Sequence, residues 1–411
     1  MQPSRVNESP TALRGLLPPD LLRRGGCPFD PPAGLRRRRG QGAVQPLALA
    51  NGAPAFLVTG FEEARAVLGD VRFSADRVRH PDAAAADRTP RAVPARTDGQ
   101  FVFMDPPEHT RLRRLLTGQF TVRRMKALEE HIREIAVSHI AAMTAAGTEA
   151  DLVPAYALPI PSLVICELLG VDYADRRSFQ ERTALALNGD APAAERQRAA
   201  RELYAFMGGL IAAKRERPGD DLLSGLIRDA EPPLTDAQFV DIAVVLLGAG
   251  HETTANMLGL GTFALLENPG QLAALRADPA LLDTAVEELL RYLSIQLGVS
   301  RVATTAIEIG GVVIPAGATV VIAVPEVNRD PAHWGDPDRL DVHRGRGPHL
   351  AFGHGVHQCL GQQLARAEMT VALGELITRL PRLRLAVPAA AIPVRDEMLI
   401  FGVHSLPVTW S

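Results

Sequence analysis

Apolar residues recur along this chain mainly three and four positions apart, the period of helices that bury one face. Such runs predict helices over Phe61–Leu68, Pro107–Phe120, Arg123–Ala145, Pro159–Leu169, Arg176–Leu187 and Ala194–Arg215, the last two joined by a flexible stretch from Asn188 to Pro192. Pro232–Glu267 contains a longer helix, of roughly 30 residues and 45 Å at the helical rise, ended by Pro269. Gln271–Ala277, Ala280–Leu293 and Leu360–Arg379 continue the helical pattern. Ala55–Thr59 is strand-like, Arg301–Val324 is β-rich with turns at Gly310-Gly311 and Pro315-Ala316-Gly317, and Leu383–Trp410 reads as short strands. Residues 1–50, rich in Pro, Gly and Arg, predict an extended arm laid over the body. Ser74–Gln100 is polar and aperiodic, long for a structureless loop, and is read as a lid over substrate access. With no repeat and no linker, residues 1–411 are expected to form one mainly α domain with small β-sheets.

Composition narrows the class. The chain has 411 residues, 46% of them hydrophobic, enough for a large core. A net charge of −3 provides no broad basic field for nucleic acid. The first 30 residues lack the apolar core of a signal peptide, and no run reaches the 18 or so apolar residues of a membrane span, so a cytoplasmic protein is expected. Cys27, Cys166 and Cys359 are too few for a disulfide framework and suit a reducing compartment, Cys166 as core packing. Arg36–Arg39 reads as a solvated run, with partner docking as its alternative.

The chemistry concentrates in Phe352-Gly353-His354-Gly355-Val356-His357-Gln358-Cys359-Leu360-Gly361. A cysteine at a helix start meets unpaired N–H donors that favour its thiolate, a soft ligand for metal or haem iron. Glycines let the backbone pass close to a flat ligand, and Phe352 can shield the sulfur. A buried cysteine in an ordinary strand-to-helix turn is the alternative. Inside the long helix, Gly248-Ala249-Gly250-His251-Glu252-Thr253-Thr254 breaks helix preference, since Gly loses roughly 1 kcal/mol against Ala. Small residues there leave room beside the helix, and Glu252 with Thr253 forms an acid–alcohol pair; a kink with hydroxyl back-bonding is the alternative. Glu288 and Arg291 share a helix face, as surface pairs also do.

Taken together, F-G-x-G-x-H-x-C-x-G, A-G-x-E-T and E-x-x-R resemble the motifs of the cytochrome P450 superfamily over about residues 15–411. The resemblance implies a triangular α-rich prism with a long distal helix over haem b. It implies Cys359 as the iron ligand, with Phe352, Gly353 and Gly361 framing the haem, and His109, Arg113, Arg301 and His357 holding its propionates. Dioxygen, the co-substrate, would sit at Ala249–Gly250, with Thr253 hydrogen-bonding to it and Glu252 feeding protons through water. Glu288, Arg291 and Arg344 would form a structural clasp. Val245, Ile295, Leu297, Val299, Leu399 and Ile400 would line an apolar substrate pocket, while Arg111 and Arg114 would face an acidic redox partner.

The chain departs from the family pattern in few places. His354 fills a variable position, Leu340 stands where Phe is common, and Glu326 replaces a small residue and could alter the pocket edge. The segments Arg24–Phe29 and Gly402–Trp410 resemble a streptomycete branch. The activity implied is that of a monomeric haem-thiolate monooxygenase, hydroxylating or epoxidising a hydrophobic natural product such as a macrolide, polyketide or terpenoid. Electrons would come from NAD(P)H through a ferredoxin reductase and a ferredoxin. The alternatives are a nitric oxide reductase, a peroxide-driven enzyme, or a non-catalytic haem binder.

Overall fold

Thr235 caps the longest helix by a reciprocal pair of bonds. Its hydroxyl accepts the Gln238 N–H at 3.2 Å, while its own N–H donates to Gln238 Oε1 at 3.0 Å. That helix runs Asp236–Leu266 in the computed structural model, which describes residues 17–76, 79, 99–187, 191–395 and 400–411.

In chain order the first elements are α1 (Ala33–Arg38), β1 (Val44–Ala48), β2 (Pro54–Val58), α2 (Phe61–Gly69) and β3 (Phe73–Ser74). Helices α3 (Glu108–Thr117) and α4 (Val122–Ala146) lead to β4 (Glu149–Asp151). Then come α5 (Pro159–Leu169), α6 (Tyr173–Leu187), α7 (Ala193–Glu216), α8 (Leu222–Asp229), the long α9 (Asp236–Leu266), α10 (Pro269–Ala277) and α11 (Leu282–Leu293). Strands β5 (Val299–Ala303), β6 (Ile307–Ile309), β7 (Val312–Ile314) and β8 (Thr319–Ile322) precede the short α12 (Val324–Val327). Helix α13 (Gln362–Arg379) is followed by β9 (Arg384–Leu385) and β10 (Pro407–Thr409).

The helical body is built on α9, which packs against α5, α7 and α13, while α13 also packs along α4. Its core includes Tyr156, Leu258 and Phe263, and the Tyr156 hydroxyl donates to the Ala372 carbonyl at 2.7 Å. The main sheet has the order β1-β2-β8-β5-β3, with β2 parallel to β8 and the other pairs antiparallel. Both its faces are buried: Val58, Val320 and Ile322 pack on one side, Leu57, Leu297 and Val321 on the other. Smaller sheets are β4-β10-β9 and β6-β7.

Several expectations are corrected. The arm is not extended throughout, because α1 and β1 lie within it and Leu21 and Leu35 are buried. Arg36–Arg39 is largely the end of α1, and Arg39 is no solvated charge. Its Nε meets Glu326 Oε2 at 2.8 Å, and its Nη1 and Nη2 meet Asp338 at 2.5 and 3.2 Å. Glu326 is buried and off the cavity wall, so it does not alter the pocket edge; a buried carboxylate requires such a cation. Pro269 opens α10 at its first position, where a missing N–H costs nothing. Helix α13 begins at Gln362, two residues later than expected, because Gly361 forms the turn from the cysteine. Sequence periodicity missed α8, which Asp221 caps by accepting the Ser224 N–H at 2.9 Å. Most of the Ser74–Gln100 lid and part of the 188–192 joint lie outside the described residues.

A candidate active site between the long helix and the cysteine loop

A cavity of about 520 Å³ separates α9 from the loop that precedes α13. The loop is held by its own backbone. Cys359 N–H donates to the Phe352 carbonyl at 2.8 Å, and Gly353 N–H to that of Leu350 at 3.0 Å. At Gly355, φ is +71° and a Cβ would strike the Leu68 carbonyl of α2, so glycine lets the loop seat against that helix. Cys359 faces the cavity beside Phe352, Gly353 and Gly361. Burial raises its thiol pKa, against the pull of the Gly361 N–H and the charges of Arg113 and Arg366.

Ala249, Gly250 and Thr253 line the opposite wall, and Thr253 Oγ1 donates to the Ala249 carbonyl at 2.7 Å. Glu252 lies off that wall. Its Oε1 meets Arg395 Nη2 at 2.5 Å, and Arg395 Nη1 also donates to Asn256 Oδ1 at 2.9 Å.

At one rim of the cavity, His109 and His357 lie with ring centroids 4.0 Å apart, beside Arg113 and Arg301. Arg113 Nη2 donates to the Gln358 carbonyl at 2.6 Å and Arg301 Nη1 to that of Ser300 at 2.8 Å. Among the described residues neither guanidinium pairs with a carboxylate, and both His109 ring nitrogens are buried without a hydrogen-bond partner. Burial, with the cations nearby, depresses the imidazoles: His109 to about 4 and His357 to about 3. Burial likewise lowers Arg301 to about 10, opposed by Asp105. The two guanidiniums make the cluster positive, with the Asp105 carboxylate acting on it from nearby.

Behind the loop, Arg291 grips Glu288 with two bonds, at 2.7 and 2.8 Å, and Arg344 Nε reaches the same carboxylate at 3.2 Å. Arg291 also donates to the carbonyls of Asn328, Pro337 and Arg339, tying α11 to the segment that leads into the cysteine loop.

Of the expected pocket residues, Val245, Ile295 and Val299 line the cavity. Leu297 does not; it packs on the far face of the main sheet with Leu57 and Val321. Ile400 is bridged to Gln296 and packs against the helical core instead of the cavity, and Leu399 lies outside the described residues. Gln296, exposed and on the cavity wall, was missed, although a polar residue between Ile295 and Leu297 was a usable signal. Glu368 was also missed. It lines the cavity, 2% exposed, and burial raises it to about 8 despite a hydrogen bond with Thr254. Its signal was a carboxylate four residues from Leu364 and Ala372 on a buried stripe.

A family profile described as "Cytochrome P450" matches residues 211–408. Cytochrome P450-SU2 of Streptomyces griseolus is 47% identical over 96% of this chain and 98% of its own. Pentalenic acid synthase of Streptomyces avermitilis is 47% identical over 93% of this chain and 95% of its own. Among solved structures, Rif16 in complex with R-L superposes with a TM-score of 0.86 at 53% identity, covering 96% of this chain and 100% of that one. CYP105P1 in complex with filipin I gives 0.87 at 43% identity, covering 96% and 99%.

Proposed function

Since this chain belongs to the cytochrome P450 family, whose members carry haem b and use dioxygen with electrons derived from NAD(P)H, we propose that it hydroxylates or epoxidises a hydrophobic natural product. A ferredoxin and its reductase are the proposed electron donors. Curated relatives of the chain are monooxygenases, and no helix among the described residues is long and apolar enough to cross a membrane.

The residues fit the cofactor. Cys359 offers a thiolate donor beside two groups that favour its charge, the Gly361 N–H and the Arg113 guanidinium. Arg113 and Arg301 bring two guanidiniums, and His109 and His357 two imidazoles, to a partly buried cluster suited to two carboxylates, and the unpartnered His109 nitrogens are the observation that carries this reading. When bound, the haem supplies activation of dioxygen and insertion of one oxygen atom into the substrate. The chain provides the surroundings. Ala249 and Gly250 leave space against α9, and Thr253 Oγ1 can turn its hydrogen from the Ala249 carbonyl toward a guest in the cavity. Glu252, one residue earlier and held by Arg395 off the cavity wall, would relay protons from outside through water to that hydroxyl. Val245, Ile295 and Val299 exclude water and hold apolar surface, while Gln296 offers a polar anchor. Glu288, Arg291 and Arg344 hold the loop that presents Cys359.

The test is a screen of hydrophobic natural products for a haem spin-state change, followed by turnover with NADPH, ferredoxin reductase and ferredoxin. Substrate-dependent reductant consumption with oxygenated product is expected, and Cys359→Ser abolishes it. Haem binding without any oxygenated product across binders would overturn the proposal.

A further inference from the structure

The tandem acids of α11 face different tasks. Glu288 belongs to the clasp, but Glu287, its neighbour, turns to the outer side of the cysteine loop. There it takes Arg366 Nε on Oε1 at 2.5 Å and Arg366 Nη2 on Oε2 at 3.1 Å. His349 Nδ1 accepts the Ala351 N–H at 3.2 Å, so the ring proton is on Nε2, which donates to Glu287 Oε2 at 3.1 Å. Burial alone would raise the Glu287 carboxyl, but the hydrogen bonds from His349 and Arg366 hold it down to about 2. Arg366 Nη1 is held in addition by Gln362 Oε1 at 3.0 Å. The guanidinium is thereby fixed with Cζ 4.6 Å from the centre of the Phe352 ring, and the His349 ring lies 6.0 Å from the same ring.

Phe352 is the residue whose carbonyl takes the Cys359 N–H. A cation over an aromatic face draws on the ring's negative potential and leaves a net positive field beyond it. Arg366 is off the cavity wall, so its charge lies outside the space open to a guest. The Arg366 side chain is 27% exposed and that of Glu287 12%, so the field is screened only in part.

We propose that Arg366, oriented by Glu287 and His349 and stacked on Phe352, is a positioning residue that sets how readily the thiolate-bound haem is reduced. This rests on the haem reading above. The positive charge stabilises the more negative, reduced state, so it makes electron uptake easier. Glu287 tempers that effect by its own negative charge while fixing the guanidinium in place.

The experiment is spectroelectrochemical titration of the haem-loaded, full-length protein and its Arg366→Met, Arg366→Lys and Glu287→Gln variants. Arg366→Met is expected to shift the ferric–ferrous equilibrium about tenfold toward the oxidised form, about 59 mV for a one-electron couple. Arg366→Lys keeps the charge and restores most of the shift. Glu287→Gln keeps an acceptor but removes the negative charge, and moves the potential in the opposite direction. Equal potentials for wild type and Arg366→Met would overturn the proposal, as would shifts of the same sign in Arg366→Met and Glu287→Gln, the mark of a merely structural role. If Arg366→Met does not retain haem, Glu287→Gln decides alone, and a potential equal to or below that of the wild type would overturn the proposal. Absence of the thiolate-type reduced–CO band in the wild-type protein would instead mark failure of the underlying haem reading.

Discussion

Arg395 places Nη2 2.5 Å from Glu252 Oε1, so the acid of the long helix is anchored by a residue of the C-terminal tail. The same tail joins the cavity ceiling, because Phe401 N–H donates to the Ile295 carbonyl at 2.8 Å and Gln296 bridges to Ile400. Arg395→Met leaves Glu252 without a fixed position. Product formed per NADPH is expected to fall by about tenfold, with substrate affinity changed little. Parallel measurement of product, NADPH and the spin-state binding curve checks this; unchanged coupling would count against it.

Thr253→Ala removes the hydroxyl that donates to the Ala249 carbonyl at the small-residue groove, without cutting the helix ladder. Substrate binding is expected to persist while electrons drain into hydrogen peroxide, with roughly tenfold less product per electron or worse. Peroxide and product assays on the same reaction give the ratio.

Arg291 is 1% exposed, and its removal takes from the buried Glu288 carboxylate its two-bond partner, leaving Arg344 on one oxygen. Arg291→Ala is expected to cost about 3–5 kcal/mol and to yield protein depleted of haem. Urea unfolding and the haem-to-protein absorbance ratio measure the two effects. Arg291→Lys restores the charge but not the planar fork, and is expected to recover only part of the loss.

Glu368 gives a pH signature. Its carboxyl is raised from 4.5 to about 8, chiefly by burial, so the folded protein holds a proton that the unfolded chain has lost between those values. The stability this contributes is complete below pH 4.5 and is lost as pH rises through about 8. Glu368→Gln is expected to flatten the fall in stability across that window. Thermal melts of both proteins from pH 5 to pH 9 test the sign, and a variant with the wild-type slope would remove Glu368 as its source.

Gln296→Leu replaces the polar group on the ceiling with a slightly smaller apolar one. Guests bearing a carbonyl or hydroxyl at that end are expected to lose about tenfold in affinity, while wholly apolar guests bind as well or better. Spin-state titration with paired ligands reads the difference.

Much of this was legible from the chain because the key groups are close in sequence. The cysteine loop, the groove at Ala249–Gly250 and the Glu288–Arg291 pair each occupy one turn or one helix face, where spacing alone decides what meets. What stayed hidden depends on distant packing. No local pattern says that Arg39 of the arm reaches Glu326 and Asp338, or that Arg395 reaches Glu252. Leu297 was misplaced because apolar character does not say which face of a doubly buried sheet a side chain takes. Glu287 escaped notice because its partners, His349 and Arg366, lie beyond the helix that carries it.

Strand β2 pairs in parallel with β8, Ala55 beside Thr319 and Val58 beside Ile322, so the sheet is closed by partners from opposite ends of the chain. During synthesis, at roughly 5–20 residues per second, the β1–β2 hairpin leaves the ribosome tens of seconds before its neighbour exists. For that interval it presents an open, apolar edge of the kind that seeds aggregation. Expression yield in a new host is therefore expected to respond to chaperone capacity and to translation speed through the first three quarters of the message.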